Sequence, residues 1–415
     1  MLSPLDPLLC DESQCAALHA AAVLLKAGEF AAARDEYQRV LAAAPSSRQA
    51  HAGMYYALAA LGDRHHAAAH LGKALLLQTT VTLPYRGTGA PVPVLVLLSL
   101  NGGNVLIQRF LDDRVFQAHL LFAEFYEEGM ALPAHELVIN AIGDADVRSD
   151  ALAVAQSILL ATHAPVVNSP DRVMATSRCR NARRLGSIPG VVTPLCMQFP
   201  RAALAAGGRK EVLATCGFSF PLLVRAPGFH MGKHFLRVDA ARELDDALNR
   251  IPGEEAILMQ YLDGRSEDGN VRKYRVLCVD GRIYPAHLAI SSRWKVHYFS
   301  ADMDEHPEHR AEEAEFLGNM ARVLGRGAMA ALKRIETALG MDYAGIDFGI
   351  NRKGEVLLFE ANATMAVYRP ESTSQWDYRR AAVERIYAAV HRLFLSRAGA
   401  QGRLSARRRE SLVAC

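Results

Sequence analysis

MDYAGIDFGINRKGEVLLFEANAT occupies residues 341–364. Two runs rich in β-branched and large apolar residues, 344–350 and 355–360, flank the polar turn Asn351-Arg352-Lys353-Gly354, so the stretch is predicted to form two strands joined by a turn. An antiparallel hairpin centred between Arg352 and Lys353 sets position 347 opposite 358. Asp347 and Glu360 then become diagonal neighbours on one sheet face, and Asn362 continues that face; a one-residue bulge would change this parity. Acids on an otherwise apolar face are costly unless paired or metal-bound, although a hairpin with solvated acids is the plainer alternative. Two carboxylates and an amide oxygen at one sheet end make a hard-oxygen site suited to Mg²⁺ carrying nucleotide phosphates.

Asp347 followed by Glu360-Ala361-Asn362 resembles the metal-binding D…ExN signature of ATP-grasp enzymes, and other segments follow that family's order. Residues 220–226 (FPLLVRA) resemble the first strand of its phosphate-binding lid, 227–233 (PGFHMGK) its glycine-containing turn, and 234–238 the next strand. Residues 257–262 (ILMQYL) resemble the hinge strand at the adenine edge, and Lys273-Tyr274-Arg275 opens a further strand as the family's basic residue does. The resemblance implies nucleotide binding by Arg178, Arg225, His230, Lys233, Gln260, Tyr261, Leu262 and Lys273, and metal binding by Asp347, Glu360 and Asn362. Arg275 and Arg293 are expected to serve catalysis, Arg275 together with Arg178 and Arg225 by offsetting the charge that accumulates in transfer. A solvated loop histidine is an equal alternative for His230. Lysines are usual at the two phosphate positions where Arg178 and Arg225 stand here; a guanidinium keeps the charge with a longer, flatter fork.

Residues 272–298 are strongly basic within a strand-like region and include Lys273, Arg275, His287, Arg293, Trp294, Lys295 and His297. The mix of basic and aromatic groups at 291–298 is compatible with single-stranded nucleic acid. A basic lining beside a triphosphate site accounts for the same residues, and no nucleic-acid partner is expected.

Upstream, Pro84, Gly87, Gly89, Pro91 and Pro93 mark a linker. Beyond it the sequence predicts a buried strand at 94–98, a turn Asn101-Gly102-Gly103-Asn104 into a helical stretch, a helix at 116–128, a strand at 136–142 and a helix to 160, an alternation that indicates a parallel sheet. At an offset of 34 residues Gly28 falls on Gly62, Ala33 on Ala67 and Leu41 on Leu75, the tetratricopeptide pattern, with a plain alanine-rich bundle as the alternative. Downstream, Val383, Ile386, Val390, Leu393 and Phe394 form the apolar stripe of a helix at 378–395 that caps the sheet.

The expected fold class is multidomain: an N-terminal all-α helical repeat (1–82), an α/β pre-ATP-grasp unit (92–170), an α+β ATP-grasp domain (171–395) and a flexible basic tail (396–415). Of the 415 residues, 47 Lys and Arg face 44 Asp and Glu, too small an excess for binding driven by net charge. Seven scattered cysteines form no zinc spacing, and the longest apolar run, 92–100, is far below a membrane span of about 20 residues. The N-terminus lacks the basic start of a secretory signal, so a cytoplasmic location without membrane attachment is expected.

Family resemblance implies an ADP-forming ligase that joins a small-molecule or peptide carboxylate to an amine through an acyl phosphate. ATP and Mg²⁺ are the expected cofactors, with Mn²⁺ as a substitute. An ATP-binding scaffold and a small-molecule kinase are the alternatives, and a protein partner at the helical repeat and homo-oligomerisation stay open.

Overall fold

A computed structural model describes residues 12–75, 80–83, 85–204, 209–229, 232–297, 301–371 and 374–399. Four helices open the described chain: α1 (Glu12–Ala27), α2 (Phe30–Ala43), α3 (Arg48–Ala60) and α4 (Arg64–Leu75). Gly28 and Gly62 take positive φ at the turns after α1 and α3, where a side chain would be strained. Ala21, Ala33, Ala50 and Ala67 are buried in a small core of their own together with Tyr37 and Met54. The Tyr37 ring lies directly over Gly53, in the space a β-carbon would need. Small residues let α2 and α3 approach closely, and the aromatic ring fills the seam.

The first sheet comprises β1 (Thr80–Thr82), β2 (Val92–Leu98), β3 (Phe116–Phe122), β4 (Leu137–Asn140) and β5 (Val166–Val167), with α5 (Ser149–Ile158) between β4 and β5. Its order is β1-β3-β2-β4-β5, and all but β1 run parallel. Two sequence expectations are corrected here. The helix at 116–128 is instead β3, because Phe116, Ala118 and Leu120 point to one core while Gln117 and His119 alternate outward. The glycine turn leads into a single 3₁₀ turn, Ile107–Arg109, and not a helix.

Helices α6 (Pro170–Met174) and α7 (Arg178–Leu185) and strand β6 (Val191–Val192) lead to a second, antiparallel sheet. It is built from β7 (Cys196–Pro200), β8 (Leu222–Arg225), β9 (Phe235–Val238) and β10 (Glu255–Gln260) in the order β7-β10-β8-β9, with α8 (Arg209–Cys216) and α9 (Leu244–Asn249) in the connections. Phe199, Leu222, Val224, Leu244 and Leu258 give it a separate core.

The third sheet joins β11 (Val271–Val279), β12 (Arg282–Ser291), β13 (Tyr343–Ile350) and β14 (Val356–Asn362) with β6 in the order β12-β11-β13-β14-β6. Helices α10 (Pro307–Gly318) and α11 (Met320–Leu339) separate β12 from β13. Closing the described chain is α12 (Arg380–Arg397), whose predicted stripe of Val383, Ile386, Val390, Leu393 and Phe394 is buried between the first and third sheets. Asn168 locks these sheets together: its side chain donates to Tyr343 O at 2.8 Å and accepts from Tyr343 N at 2.9 Å. Most of the basic tail at 396–415 lies outside the described residues. No helix among the described residues is long and apolar enough to cross a membrane.

Candidate active site

The hairpin forms with one change of register. Ile350 pairs with Val356 and Phe348 with Leu358, but a bulge then sets Asp347 directly opposite Glu360. The predicted pairing of 347 with 358 is therefore corrected twice: the strands pair about Lys353 and not between Arg352 and Lys353, and the extra residue Phe359 then brings Glu360 directly opposite Asp347. On the other side Asp347 pairs with Arg275, which in turn pairs with His287. A second bulge follows Arg275. His287, Arg275, Asp347 and Glu360 thus form a transverse row with one residue from each of β12, β11, β13 and β14.

Asp347 is fully buried and ionised. Arg275 donates to it through Nε at 2.6 Å and Nη2 at 2.8 Å, and Lys273 Nζ lies 2.6 Å from its second oxygen. Burial alone would raise its pKa, yet Arg275 and Lys273 hold it well below the usual carboxylate range. Glu360 is partly buried, and Arg178 and Arg225 outweigh the cost of that burial to bring its pKa down to about 2. Arg178 Nη2 donates to Glu360 Oε1 at 2.6 Å, and Asn362 Nδ2 donates to the same oxygen at 2.9 Å. The start of α7 aims Arg178 at this point, its backbone N–H donating to Asp146 at 2.9 Å. Burial and the Arg275 charge push the His287 imidazole far below its ordinary pKa, so it is neutral.

These groups line a cavity of about 480 Å³ between the second and third sheets. Arg225 reaches it from the end of β8 and donates to Phe229 O. Burial, reinforced by Arg178, lowers its pKa to about 10. Lys295 enters from the segment after β12, and burial together with Arg225 lowers its pKa as well. Gly232, at positive φ, makes room for the Lys295 stem. Arg225 and Lys295 have their pKa values lowered by burial and by a neighbouring cation despite the carboxylates nearby, which favours an anion between them.

At the other end Leu223, Met259, Tyr261, Leu262 and Phe359 supply apolar lining. Trp294 packs edge-on against Phe235 at 5.6 Å and against Tyr261 at 6.3 Å, so a residue following the third sheet closes onto the second.

Of the residues singled out by sequence, Arg178, Arg225, Gln260, Tyr261, Leu262, Lys273, Arg275, Asp347, Glu360 and Asn362 all line the cavity. The Gln260 amide is engaged structurally, accepting from Ser219 N and donating to Ser219 O and Pro221 O. Lys233 and Arg293 are not brought to the cavity: both are exposed and lie outside the lining. Each sits in a turn beside a residue that points inward, Gly232 in one case and Trp294-Lys295 in the other. His230 lies outside the described residues. Lys295, Trp294, His287 and His297, members of the basic stretch expected beside a triphosphate site but given no individual role by the sequence, also line the cavity.

The donor set fits a hard divalent ion, since two ionised carboxylates face each other and an amide oxygen lies two residues on. Bonds from described residues to Glu360 fall on Oε1. Asn362 Oδ1 accepts from Thr364 N and Oγ1, and rotation of that hydroxyl frees a lone pair.

No family model matches the chain, and no curated protein does. Among solved structures the chain is similar to VanG D-Ala:D-Ser ligase from Enterococcus faecalis, at 14% identity and TM-score 0.45, over 74% of this chain and 100% of that one. It is likewise similar to D-alanine–D-alanine ligase from Bacillus anthracis complexed with ATP, at 13% identity and TM-score 0.43, over 74% and 96%. A RimK domain ATP-grasp protein from Sphaerobacter thermophilus matches at 16% identity and TM-score 0.42, over 73% and 99%.

Proposed function

We propose that the chain is an ATP-dependent ligase of the ATP-grasp type, ADP-forming, which joins a carboxylate to an amine or similar nucleophile through an acyl phosphate. The observation that carries this reading is the convergence of Arg178, Arg225, Lys273, Arg275 and Lys295 on two ionised carboxylates inside one enclosed cavity. Five cations exceed what Asp347, Glu360 and the lining Asp144 neutralise, and a triphosphate would supply the missing charge. The apolar end at Met259, Tyr261 and Leu262 suits a flat base.

Asp347, Glu360 and Asn362 would hold Mg²⁺, with Mn²⁺ as a substitute, and such an ion would offset the negative charge of the phosphates. Arg178, Arg225 and Lys295 bind and orient the phosphates. Arg275 and Lys273 exchange part of their contact with Asp347 for the charge that develops on transfer, at donors already positioned by the sheet. Trp294 bridging the two sheets excludes water from an intermediate that water would destroy. His297 lines the cavity as an imidazole whose pKa is lowered by burial and by Lys273, so it is neutral and able to accept a proton from an attacking amine. The N-terminal helices, read as a tetratricopeptide-like repeat, are the proposed seat of a protein partner or peptide substrate.

One observation favours a second reading, an ATP-binding scaffold with a regulatory site: Asp347 is saturated by Arg275 and Lys273. The deciding experiment is Mg²⁺-dependent ADP release with pooled amino acids, peptides and small carboxylic acids, with hydroxylamine as a trap, beside Asp347→Asn and Glu360→Gln. A ligase needs an added acid, yields hydroxamate and is silent in both variants. Phosphate ester without hydroxamate identifies a kinase, and saturable nucleotide binding without turnover in any pool supports the scaffold.

A further inference from the structure

The residue preceding α10 and the first turn of that helix read His306-Pro307-Glu308-His309, far along the chain from the hairpin carboxylates. His306 Nδ1 lies 2.6 Å from a Glu308 carboxylate oxygen, and the rings of His306 and His309 stack with centroids 4.5 Å apart and planes 25° apart. One ligand atom from each of the three side chains falls within 4.8 Å of the others. A tetrahedral ion with bonds of about 2.0–2.1 Å draws its ligands to roughly 3.4 Å, a gap that side-chain rotation closes. Two imidazoles with one carboxylate are the donor set of a zinc-class ion, whereas Mg²⁺ seeks an all-oxygen shell.

His309 is prepared for this role. It is 7% exposed, and its Nδ1 lies 3.0 Å from Asp302 O, so that nitrogen carries the proton and Nε2 is presented as the ligand. Half-exposed His306 and exposed Glu308 complete the set from the solvent side. Glu308 also places a negative charge at the positive end of α10, where the helix dipole alone would disfavour a cation.

We propose that His306, Glu308 and His309 bind one zinc-class divalent cation, with solvent in the fourth position, and that the ion stiffens one wall of the cavity. The connection is short. Asp302, held through its carbonyl by His309, accepts through Oδ2 from Ser291 Oγ at 2.8 Å and from Ser292 N at 3.0 Å. From that turn the chain runs directly to Trp294, Lys295 and His297, all of which line the cavity. Arg310 reinforces the same segment, donating to Met303 O and Asp304 O at 2.7 Å.

The test uses the full chain freed of metal by chelation and titrated with Co²⁺, then Zn²⁺, in excess Mg²⁺ so that the oxygen site is not read. Expected results are visible Co²⁺ absorption saturating at one equivalent, its displacement by Zn²⁺, and at least a tenfold loss of affinity in both His306→Ala and Glu308→Gln. Both substitutions fall on solvent-facing side chains, and circular dichroism verifies the fold. Asp347→Asn should leave the titration unchanged. The linkage is read from Trp294 in a Trp376→Phe background, where metal should reduce quenching of its fluorescence by acrylamide. Failure to bind stoichiometrically, binding unaffected by both variants, or binding lost in Asp347→Asn overturns the site. Binding without a change at Trp294 overturns the linkage to the cavity.

Discussion

Glu360→Gln removes the negative charge that Arg178 and Arg225 face while keeping the side chain's shape. A fall of the Glu360 pKa from 4.5 to about 2, at about 1.4 kcal/mol per pH unit, corresponds to about 3 kcal/mol of native-state stabilisation. Loss of one partner from a fully buried ion pair costs about 3–5 kcal/mol, an upper bound for this partly exposed pair. A carboxyl with a depressed native pKa contributes stability that is complete above its unfolded value and is lost as the pH falls through the native one. The variant should therefore be about 3 kcal/mol less stable than the parent at pH 7, with the difference shrinking to about half near pH 3. Paired urea unfolding curves across that range measure the difference directly, since every other acid titrates in both proteins. The uncovered cations should also bind inorganic triphosphate more tightly in the variant without any divalent ion. Equal stability at pH 7, or a difference independent of pH down to 3, refutes the proposed coupling between Glu360 and the arginines.

Lys295→Met should weaken nucleotide binding by about 10- to 100-fold, the worth of one charged hydrogen bond, while Lys233→Met and Arg293→Met leave it unchanged; calorimetric titration compares the three. Asn168→Ala removes both bonds to the Tyr343 backbone and leaves buried groups unpaired, so about 2–4 kcal/mol of stability should be lost in denaturant unfolding. Gly53→Leu drives a side chain into the Tyr37 ring and should cost about 1–3 kcal/mol, read as loss of helical signal at lower temperature with nucleotide binding intact.

The hairpin was legible because its two strands alternate around a glycine-ended turn, and Asp347, Glu360 and Asn362 stand out against apolar neighbours. Its register was not, because the pairing about Lys353 at the turn and the bulge at Phe359 depend on what packs against the strands and not on their own sequence. Residues 116–122 were misread as helix since Leu and Phe suit either period; pairing with both β2 and β1 decides for a strand. Strand residues such as Arg225, Lys273 and Arg275 reach the cavity, their direction being fixed by alternation. The loop residues Lys233 and Arg293 do not. Lys233 and Arg293 have the right charge in the right segments, but turn geometry sends Lys295 inward in their place. The ion pairs that tie Asp347 to Arg275 and Lys273 were also invisible, since residues more than 70 positions apart meet only through the β11–β13 register.

The transverse row of His287, Arg275, Asp347 and Glu360 has a consequence for how the chain can vary. Each member holds its place by counting residues along its own strand, and the two bulges act as fixed phase corrections in that count. Adding or deleting one residue inside β11, β13 or β14 would shift one member out of line and turn its side chain to the opposite face, without necessarily disturbing the hydrophobic core. Changes of length should therefore be tolerated in the turn at 351–354 and in the segment between β12 and β13, and excluded from the strands. A library of single-residue insertions scored for nucleotide binding would map those boundaries residue by residue.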